Sequence, residues 1–392
     1  MGTYSVFRMP ETVLYGRDSF DQVGVQAARW AKKALVISDQ VMDSLGVVRR
    51  CYKLLADAGL SYASYLQVDS EPTDIHVRES LDVCLREKCK VIITIGGGSC
   101  IDAGKAVALL ATNGGYIGDY TGGKTPVLHG SLPLIAVPTT AGTGSEVTDV
   151  TVITNTAEHV KMMIKHPFLL PTAAIVDPVL TLTSPPHVTA ATGIDALCHA
   201  MEAYLSRRAQ PMTDMLALSA IDLICRNIRK AYNDGTDLEA REQMALAAMK
   251  AGAAFSNASV CLVHGMSRPI GALFHVPHGV SNAMLLPAVL EYSKDACTSR
   301  LAEIARRIDR RLGDDPDVEA AEETVKQVKL LCADLQIPNM KNWGIDRNRL
   351  DQVVAKMVAD AIASGSPANN PKVPTETEIA ELYGICYDYS FT

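Results

Sequence analysis

The sequence predicts two domains: an α/β N-terminal domain built on a parallel, Rossmann-like sheet, and an all-α C-terminal domain. Short β-branched runs alternate with helical patterns up to about residue 183, which is typical of βαβ units with buried strands. The strand signal then stops, and long segments rich in alanine, leucine and methionine follow. A chain of 392 residues is long enough for two cores, and the Ser184-Pro185-Pro186 break divides it into domains at 1–183 and 184–392.

Each element follows from the spacing of apolar residues. In the first domain the predicted strands are four short apolar runs, at 34–38, 91–95, 134–137 and 173–177. The helices between them have apolar residues at i, i+3 and i+4, and they cover 48–58, 75–87 and 101–112. The glycine-rich stretch 113–130 is predicted to be a surface loop. In the second domain the same helical spacing predicts helices at 193–202, 214–227, 238–254 and 318–335.

Composition excludes several classes of function. The net charge of −7 gives no basic footprint for nucleic acid or for an anionic membrane surface. No stretch approaches the roughly 20 uninterrupted apolar residues of a membrane span, and the first residues lack the basic and apolar regions of a signal peptide. The 10 cysteines include no CxxC pair, which indicates reduced, mostly buried thiols. We therefore expect a cytoplasmic protein whose partners include neither nucleic acid nor membrane.

A glycine-rich turn, Gly96-Gly97-Gly98-Ser99, follows a predicted strand and precedes a helix. Such a turn lets backbone N–H groups approach a diphosphate, although many strand-to-helix turns are glycine-rich for structural reasons. It departs from the usual dinucleotide fingerprint, because Ile101 stands where the third glycine belongs. Asp39 ends another predicted strand. Its carboxylate either accepts a hydrogen bond from a ribose hydroxyl and repels a 2′-phosphate, which would favour NAD over NADP, or it only caps the following turn.

A second loop, 138–146, brings hydroxyls and glycines together after the strand at 134–137. Hydroxyl groups and accessible backbone amides suit phosphate and ribose oxygens. One such loop can be structural, whereas two loops after separate parallel strands indicate a nucleotide lying across the carboxyl edge of the sheet.

A metal site is predicted less directly. Asp195 and His199 share one face of a predicted helix, although such a pair alone is more often a surface salt bridge. His264 and His278 would lie about 21 Å apart in an unbroken helix. The helix breakers between them are Pro269, Gly271 and Pro277. A folded-back chain would let three imidazoles and one carboxylate bind Fe²⁺ or Zn²⁺, but the spacing does not by itself join the two pairs.

Four motifs, in the right order, resemble the iron-containing (group III) alcohol dehydrogenases over about residues 10–385. They are Gly96-Gly97-Gly98-Ser99 with Asp102 and Lys105, the loop 138–146, Gly193-Ile194-Asp195-Ala196-Leu197 with His199, and His264-Gly265-Met266 followed by Pro277-His278-Gly279. The resemblance implies the dehydroquinate synthase-like fold of that family, with the active site in the cleft between its two domains. It also implies a homodimer or a higher homo-oligomer.

The resemblance further implies which residues bind the cofactors. The ligands of the iron or zinc ion would be Asp195, His199, His264 and His278. NAD would be bound by Asp39, Gly96, Gly97, Gly98, Ser99, Asp102, Thr139, Thr140, Gly142, Thr143, Ser145, Val152 and Lys161. Of these, Val152 and Lys161 match positions that flank the nicotinamide ribose in relatives.

The chain departs from the family pattern near the third ligand. Many relatives have a histidine four residues after it, where this chain has Arg268. A guanidinium does not relay protons near neutral pH, but it binds carboxylate, sulfonate or phosphonate groups through two hydrogen bonds. Arg268 therefore either binds an anionic group of the substrate or forms a structural salt bridge. His275 either replaces the missing proton relay or supports the ligand His278.

The expected activity is that of an NAD-dependent alcohol dehydrogenase (EC 1.1.1.-). It would oxidise a small alcohol or reduce a small aldehyde. One candidate is a substrate that carries an anionic group, such as a hydroxy acid or oxo acid semialdehyde. Alternatives on the same scaffold are activities like those of glycerol dehydrogenase, maleylacetate reductase and hydroxyacid–oxoacid transhydrogenase. A catalytically inactive nucleotide-binding scaffold is the alternative outside enzymes, and four ligand positions with two cofactor loops argue against it.

Overall fold

The computed structural model describes residues 4–69, 71–158 and 160–391. These form two compact units, Arg8–Thr183 and Ser184–Thr392, and the described residues before Arg8 belong to the second unit.

The strands of the first unit are β1 (Thr12–Tyr15), β2 (Lys33–Ile37), β3 (Ser61–Tyr65), β4 (Val91–Gly96), β5 (Leu134–Pro138), β6 (Val150–Asn155), β7 (Val160–Lys165) and β8 (Ala173–Val176). Its α-helices are α1 (Val23–Ala28), α2 (Gln40–Ser44), α3 (Val47–Asp57), α4 (Asp74–Arg86) and α5 (Gly98–Asn113). Its 3-10 helices are Ser19–Gln22, Ile117–Gly123, Ser145–Val147, Pro167–Leu169 and Pro178–Thr181.

Six strands of this unit form one parallel sheet in the order β1-β8-β5-β4-β2-β3. The predicted parallel α/β fold is therefore confirmed. Strand β2 has β3 on one side and β4 on the other, so the direction of winding reverses between β2 and β4. In open α/β sheets a ligand crevice forms at such a reversal, outside the carboxyl ends of the strands. Strands β6 and β7 pair separately as an antiparallel hairpin, which is absent from the four predicted strands.

The central strands are apolar on both faces because helices cover the sheet on both sides. Ile92 belongs to one hydrophobic cluster, whereas its neighbours Val91 and Ile93 belong to another. Successive side chains of a strand point to opposite faces, so the two clusters lie on the two sides of the sheet. Continuous apolar runs of this kind are typical of buried parallel strands.

The described part of the second unit is helical and contains no strand. Its α-helices are α6 (Pro186–Leu205), α7 (Pro211–Asn233), α8 (Leu238–Ala258), α9 (Leu262–Phe274), α10 (His278–Ser293), α11 (Thr298–Ile308), α12 (Asp317–Asp334), α13 (Met340–Trp343), α14 (Arg347–Ala363) and α15 (Glu376–Tyr387). Its 3-10 helices are Lys294–Ala296, Arg310–Leu312 and Pro367–Asn369. In the part of the chain that the structure describes, no individual helix has the length and apolar character of a membrane span. Helices α8 and α9 meet that test only as a pair bent by 104°.

The segment between His264 and His278 is broken at one place only. Pro269 and Gly271 lie inside α9, which continues to Phe274, so the prediction that they break the helix is wrong. The backbone turns at His275, whose φ is 55°, and α10 begins at His278. Three residues, 275–277, thus separate two helices, the first of them is in the left-handed conformation, and each helix contributes one of the two histidines.

Candidate functional site

Helix α6 presents an acid and a histidine on one buried face. Asp195 and His199 lie one helical turn apart, and each is less than 5% exposed. The ring of His199 stacks on Phe255 of α8, with ring centroids 4.2 Å apart. The prediction of a surface salt bridge does not apply to side chains buried this deeply, and the local structure instead orients both groups into the core of the unit.

Helices α9 and α10 complete the cluster. His264 lies in the first turn of α9, and His278 is the first residue of α10. Gly279 allows α10 to approach α6 closely, because a Cβ atom there would lie 2.6 Å from the carbonyl oxygen of Ala191. Any larger residue would separate the two helices and move His278 away from Asp195.

The four side chains converge. One ligand atom from each of Asp195, His199, His264 and His278 lies within 4.8 Å of the others. Nε2 of His264 and Nε2 of His278 lie 3.7 and 3.8 Å from Oδ1 of Asp195. Nε2 of His199 lies only 2.9 Å from Nε2 of His264. Nδ1 of His199 is buried and has no hydrogen-bond partner among the described residues. This set of one carboxylate and three imidazoles suits a borderline divalent cation such as Fe²⁺ or Zn²⁺.

The electrostatics of the cluster favour the protonation states that bind metal. Burial raises the pKa of the Asp195 carboxyl, but the charges of three nearby imidazoles outweigh it and leave the pKa below its usual value. Burial and the neighbouring His199 lower the pKa of His264 well below its usual range. At neutral pH the cluster therefore offers an ionised carboxylate and a neutral imidazole, the forms that coordinate a cation.

Two further polar side chains contact this cluster and are not among the predicted site residues. Glu202 contacts Nδ1 of His264 at 2.5 Å through Oε2. Nδ2 of Asn282 donates to Oδ1 of Asp195 at 2.6 Å and lies 3.2 Å from Nε2 of His278. Their distance along the sequence from the ligands could have identified them. Glu202 is seven residues after Asp195, and Asn282 is four residues after His278, so each shares a helix face with a ligand.

The two predicted catalytic residues have different environments. Arg268 is partly buried on α9, one turn after His264, and its Nη1 donates to Oγ of Ser366 at 3.1 Å. Burial lowers the pKa of its guanidinium to about 10, and Glu202 attracts its charge. His275 is exposed at the end of α9. The structure therefore places Arg268 against the residues behind the cluster and His275 at the surface.

In the first unit the glycine-rich turn and the hydroxyl-rich loop are in direct contact. The N–H of Thr139 donates to the carbonyl oxygen of Gly96 at 3.0 Å. A Cβ atom at Gly98 would lie 2.7 Å from Cγ2 of Thr143, and one at Gly97 would lie 3.5 Å from Oγ1 of Thr140. Gly97 is the N-cap of α5 and provides no capping side chain. The turn is thus a close-fitting backbone cradle with donors at a helix N-terminus, and it suits a diphosphate.

Asp39 lies at the same reversal of the sheet, after β2. Its Oδ1 accepts from the N–H of Met42 at 2.8 Å and so caps α2. Its Oδ2 accepts a weak hydrogen bond from Sγ of Cys100 at 3.7 Å and would lie 3.4 Å from a Cβ atom at Gly96. Capping and cofactor recognition are therefore compatible, because the two oxygens of the carboxylate face different groups.

The remaining predicted cofactor residues divide into two groups. Asp102 accepts from the Ser145 hydroxyl at 2.6 Å and from the N–H of Val152 at 2.8 Å. Nζ of the buried Lys105 donates to the same hydroxyl at 2.8 Å, and burial lowers the pKa of this lysine to about 8. These side chains form an internal network that fixes the second loop and β6. Lys161 instead pairs with Glu71, its Nζ lying 2.7 Å from Oε2.

The fold and the two sites together define a class of protein: a two-part oxidoreductase with a dinucleotide crevice on a parallel sheet and a four-ligand metal cluster among helices. The model for iron-containing alcohol dehydrogenases matches residues 10–178, and the model for the C-terminal part of the Fe-containing alcohol dehydrogenase family matches residues 189–387. The chain belongs to the iron-containing alcohol dehydrogenase family. The family resemblance seen in the sequence is therefore confirmed.

Similar proteins support the same assignment. The chain is 38% identical to the 1,3-propanediol dehydrogenase of Klebsiella pneumoniae over 381 residues, which cover 96% of this chain and 97% of that protein. A crystal structure of 1,3-propanediol oxidoreductase matches with a TM-score of 0.93 at 37% identity, covering 98% of this chain and 100% of that one. The structure of sulfoacetaldehyde reductase from Bifidobacterium kashiwanohense, in complex with NAD+, matches with a TM-score of 0.87 at 28% identity. The match covers 99% of this chain and 100% of that one. These likenesses confirm the fold and the enzyme class.

Proposed function

We propose that this enzyme interconverts a small alcohol and its aldehyde with NAD(H), at a divalent metal ion bound by Asp195, His199, His264 and His278. Iron is the expected ion, and zinc is the alternative. The observation that carries the proposal is the convergence of these four ligand atoms, which lie within 4.8 Å of one another although they come from three helices. The helical unit would bind the ion, and residues 1–183 would bind the dinucleotide.

The residues of the chain would orient both reactants. A cation bound by the four ligands would supply the Lewis acidity that lowers the pKa of the substrate hydroxyl, and a bound nicotinamide would supply the hydride acceptor. Gly97, Gly98 and the α5 N-terminus would hold the diphosphate through backbone N–H groups. Thr140 and Thr143 would add hydroxyl donors to the same cradle. His275, exposed at the end of α9, would exchange the hydroxyl proton with water.

The other predicted cofactor contacts divide between direct and indirect roles. Gly96, Ser99, Thr139 and Gly142 would line the cradle itself. Asp102 and Ser145 would act indirectly, because their hydrogen bonds fix one another and the backbone of β6. Val152 and Lys161 would lie near the nicotinamide ribose.

The direct test is an activity screen with NAD and NADP over neutral and anionic short aldehydes, combined with metal analysis of the purified protein. The proposal requires NADH-linked reduction by protein that contains about one equivalent of iron or zinc per chain. Metal-free protein with full activity, or metal-loaded protein without turnover on any member of the panel, would overturn it.

Asp39 should determine the preference for NAD. In Asp39→Asn the side chain still caps α2 through its carbonyl oxygen, but the negative charge that repels a 2′-phosphate is removed. We expect the ratio of kcat/KM for NAD to that for NADP to fall by about tenfold, which corresponds to about 1.4 kcal/mol. Asp57→Asn changes the net charge equally at an exposed position of the same unit and should leave the ratio unchanged. If this kcat/KM ratio is unchanged in Asp39→Asn, Asp39 caps α2 and does not select the cofactor.

An anionic substrate is the second candidate, and two observations favour it. Arg268 lies one turn after His264 on α9, on the same side of the helix. In addition, a structurally similar protein is a reductase of sulfoacetaldehyde, an aldehyde that carries a sulfonate group. We therefore include short aldehydes with a carboxylate or sulfonate among the candidate substrates.

Arg268→Ala separates the two candidates. Hydrogen bonds to charged groups contribute about 1.5–3 kcal/mol. If Arg268 binds a substrate anion, kcat/KM for the anionic aldehyde should fall by about 10- to 100-fold, whereas kcat/KM for a neutral aldehyde of similar size should change little. Steady-state kinetics on the matched pair of aldehydes measures both values. Equal losses on the two substrates would exclude anion binding and leave Arg268 as a partner of Glu202.

We also propose that the enzyme is a homo-oligomer of the cytoplasm. The family resemblance supports the oligomer, and the cysteines support a reducing compartment. All 10 are free thiols, and nine of them are buried. Light scattering on the purified protein would determine the number of chains.

A further inference from the structure

Glu202 is a buried carboxylate whose two oxygens are both engaged. Its Oε1 accepts from the backbone N–H of Val263 at 2.6 Å, and its Oε2 lies 2.5 Å from Nδ1 of His264. The residue is 4% exposed. Arg268 attracts the charge of Glu202, whereas burial raises the pKa of this carboxyl to about 7. None of the reaction steps above requires Glu202, yet it occupies the interior beside a metal ligand.

The contact with Glu202 determines which nitrogen of His264 carries the hydrogen. Oε1 of Glu202 already accepts from Val263, and in the contact at Oε2 the imidazole N–H donates to the carboxylate oxygen, which places the hydrogen of His264 on Nδ1. The lone pair of the neutral ring then lies on Nε2, the atom that lies 3.7 Å from Oδ1 of Asp195 within the cluster. We propose that Glu202 is a positioning residue for the metal centre, which holds His264 in the tautomer and ring orientation that coordinate the cation. This inference rests on the proposed function, because it requires that the cluster binds a metal ion.

Glu202→Gln tests the inference with almost no change in shape. A glutamine has one accepting oxygen and one donating amide group, whereas the N–H of Val263 and the Nδ1–H of His264 both need an acceptor. If the amide oxygen faces Val263, the NH₂ group faces His264, and the ring must move its hydrogen to Nε2, where it blocks coordination. If the amide is reversed, the N–H of Val263 faces the NH₂ group and is left without its acceptor.

The measurement is the affinity of the folded protein for Zn²⁺ alone, determined by competition with a chromophoric chelator after the purified metal-loaded enzyme has been stripped and dialysed. Loss of a hydrogen-bond partner behind a metal ligand typically lowers metal affinity by about 10- to 100-fold, and we expect a loss of this size in Glu202→Gln. Glu303→Gln is the matched control. Glu303 accepts from the hydroxyl of Tyr204 in the same unit, and this variant should bind Zn²⁺ like the parent protein.

A purely structural role of Glu202 gives a different result. It would lower the melting temperature of the metal-free protein and leave the Zn²⁺ affinity of the folded fraction unchanged, and this outcome would overturn the inference. If Glu202→Gln does not fold, Glu202→Asp carries the test. The shorter carboxylate withdraws from His264, so reduced affinity is expected, and parent-like affinity would overturn the inference. If the parent protein itself binds no Zn²⁺, the proposed metal site fails, and this inference fails with it.

Discussion

Asp195→Ala should lose its bound metal and its dehydrogenase activity together. Asp195 is the carboxylate toward which two of the imidazoles converge, at 3.7 and 3.8 Å from Oδ1. Its removal leaves three neutral ligands in a buried site without the negative charge that compensates a divalent cation. We expect metal affinity and kcat/KM each to fall by more than about a hundredfold, which exceeds the usual effect of residues behind the ligands. Metal analysis and NADH-linked kinetics on the same preparation measure the two losses.

The control for this experiment lies on the same helix. His187 is exposed in the first turn of α6 and lies outside the four-ligand cluster. His187→Ala should retain metal and activity, whereas His199→Ala should behave like Asp195→Ala. Full activity in metal-depleted Asp195→Ala protein, with its fold intact by circular dichroism, would contradict the proposed role of the ion.

Gly98→Ala should weaken cofactor binding strongly. The added Cβ would lie 2.7 Å from Cγ2 and 2.9 Å from Oγ1 of Thr143, so the glycine-rich turn or the second loop must move. Overpacking of this kind typically costs about 1–3 kcal/mol. If the residues that contact the diphosphate are displaced, the Kd for NADH should rise by about 10- to 100-fold. Quenching of protein fluorescence by NADH gives the Kd, and the melting temperature shows how much of the cost falls on stability.

Gly130→Ala provides the comparison for this variant. No atom lies within 4 Å of a Cβ added at Gly130, and this glycine has no positive φ. The variant should bind NADH like the parent protein. Unchanged NADH binding in Gly98→Ala would show that the diphosphate does not contact this turn.

The sequence allowed the central sheet and the four-residue cluster to be predicted, for identifiable reasons. Strands β4 and β5 are buried along their whole length, so their apolar runs are continuous and easily recognised. The ligands Asp195 and His199 form a local helical pair. Family motifs, and not spacing, joined this pair to His264 and His278, because the turn at His275 has no strong sequence signal: a non-glycine residue adopts the left-handed conformation there.

Other features depend on tertiary packing and could not be predicted from local patterns. Strand β3 has the sequence Ser-Tyr-Ala-Ser-Tyr and is mostly exposed at the sheet edge, so it lacks the apolar run that marks a buried strand. The hairpin β6–β7 lies outside the main sheet. Glu202 was missed because its carboxylate is significant only through its contact with His264, which comes from another helix.

The origin of the ligands in three helices has a consequence for how the centre is assembled. Between His199 and His264 the chain forms all of α7 and α8, so the coordinating atoms meet only when these helices are packed. An unfolded chain offers at most the two-ligand fragment on α6, and ion capture must therefore come late in folding. For the same reason the centre cannot be transplanted into another scaffold as a short peptide, unlike a zinc finger.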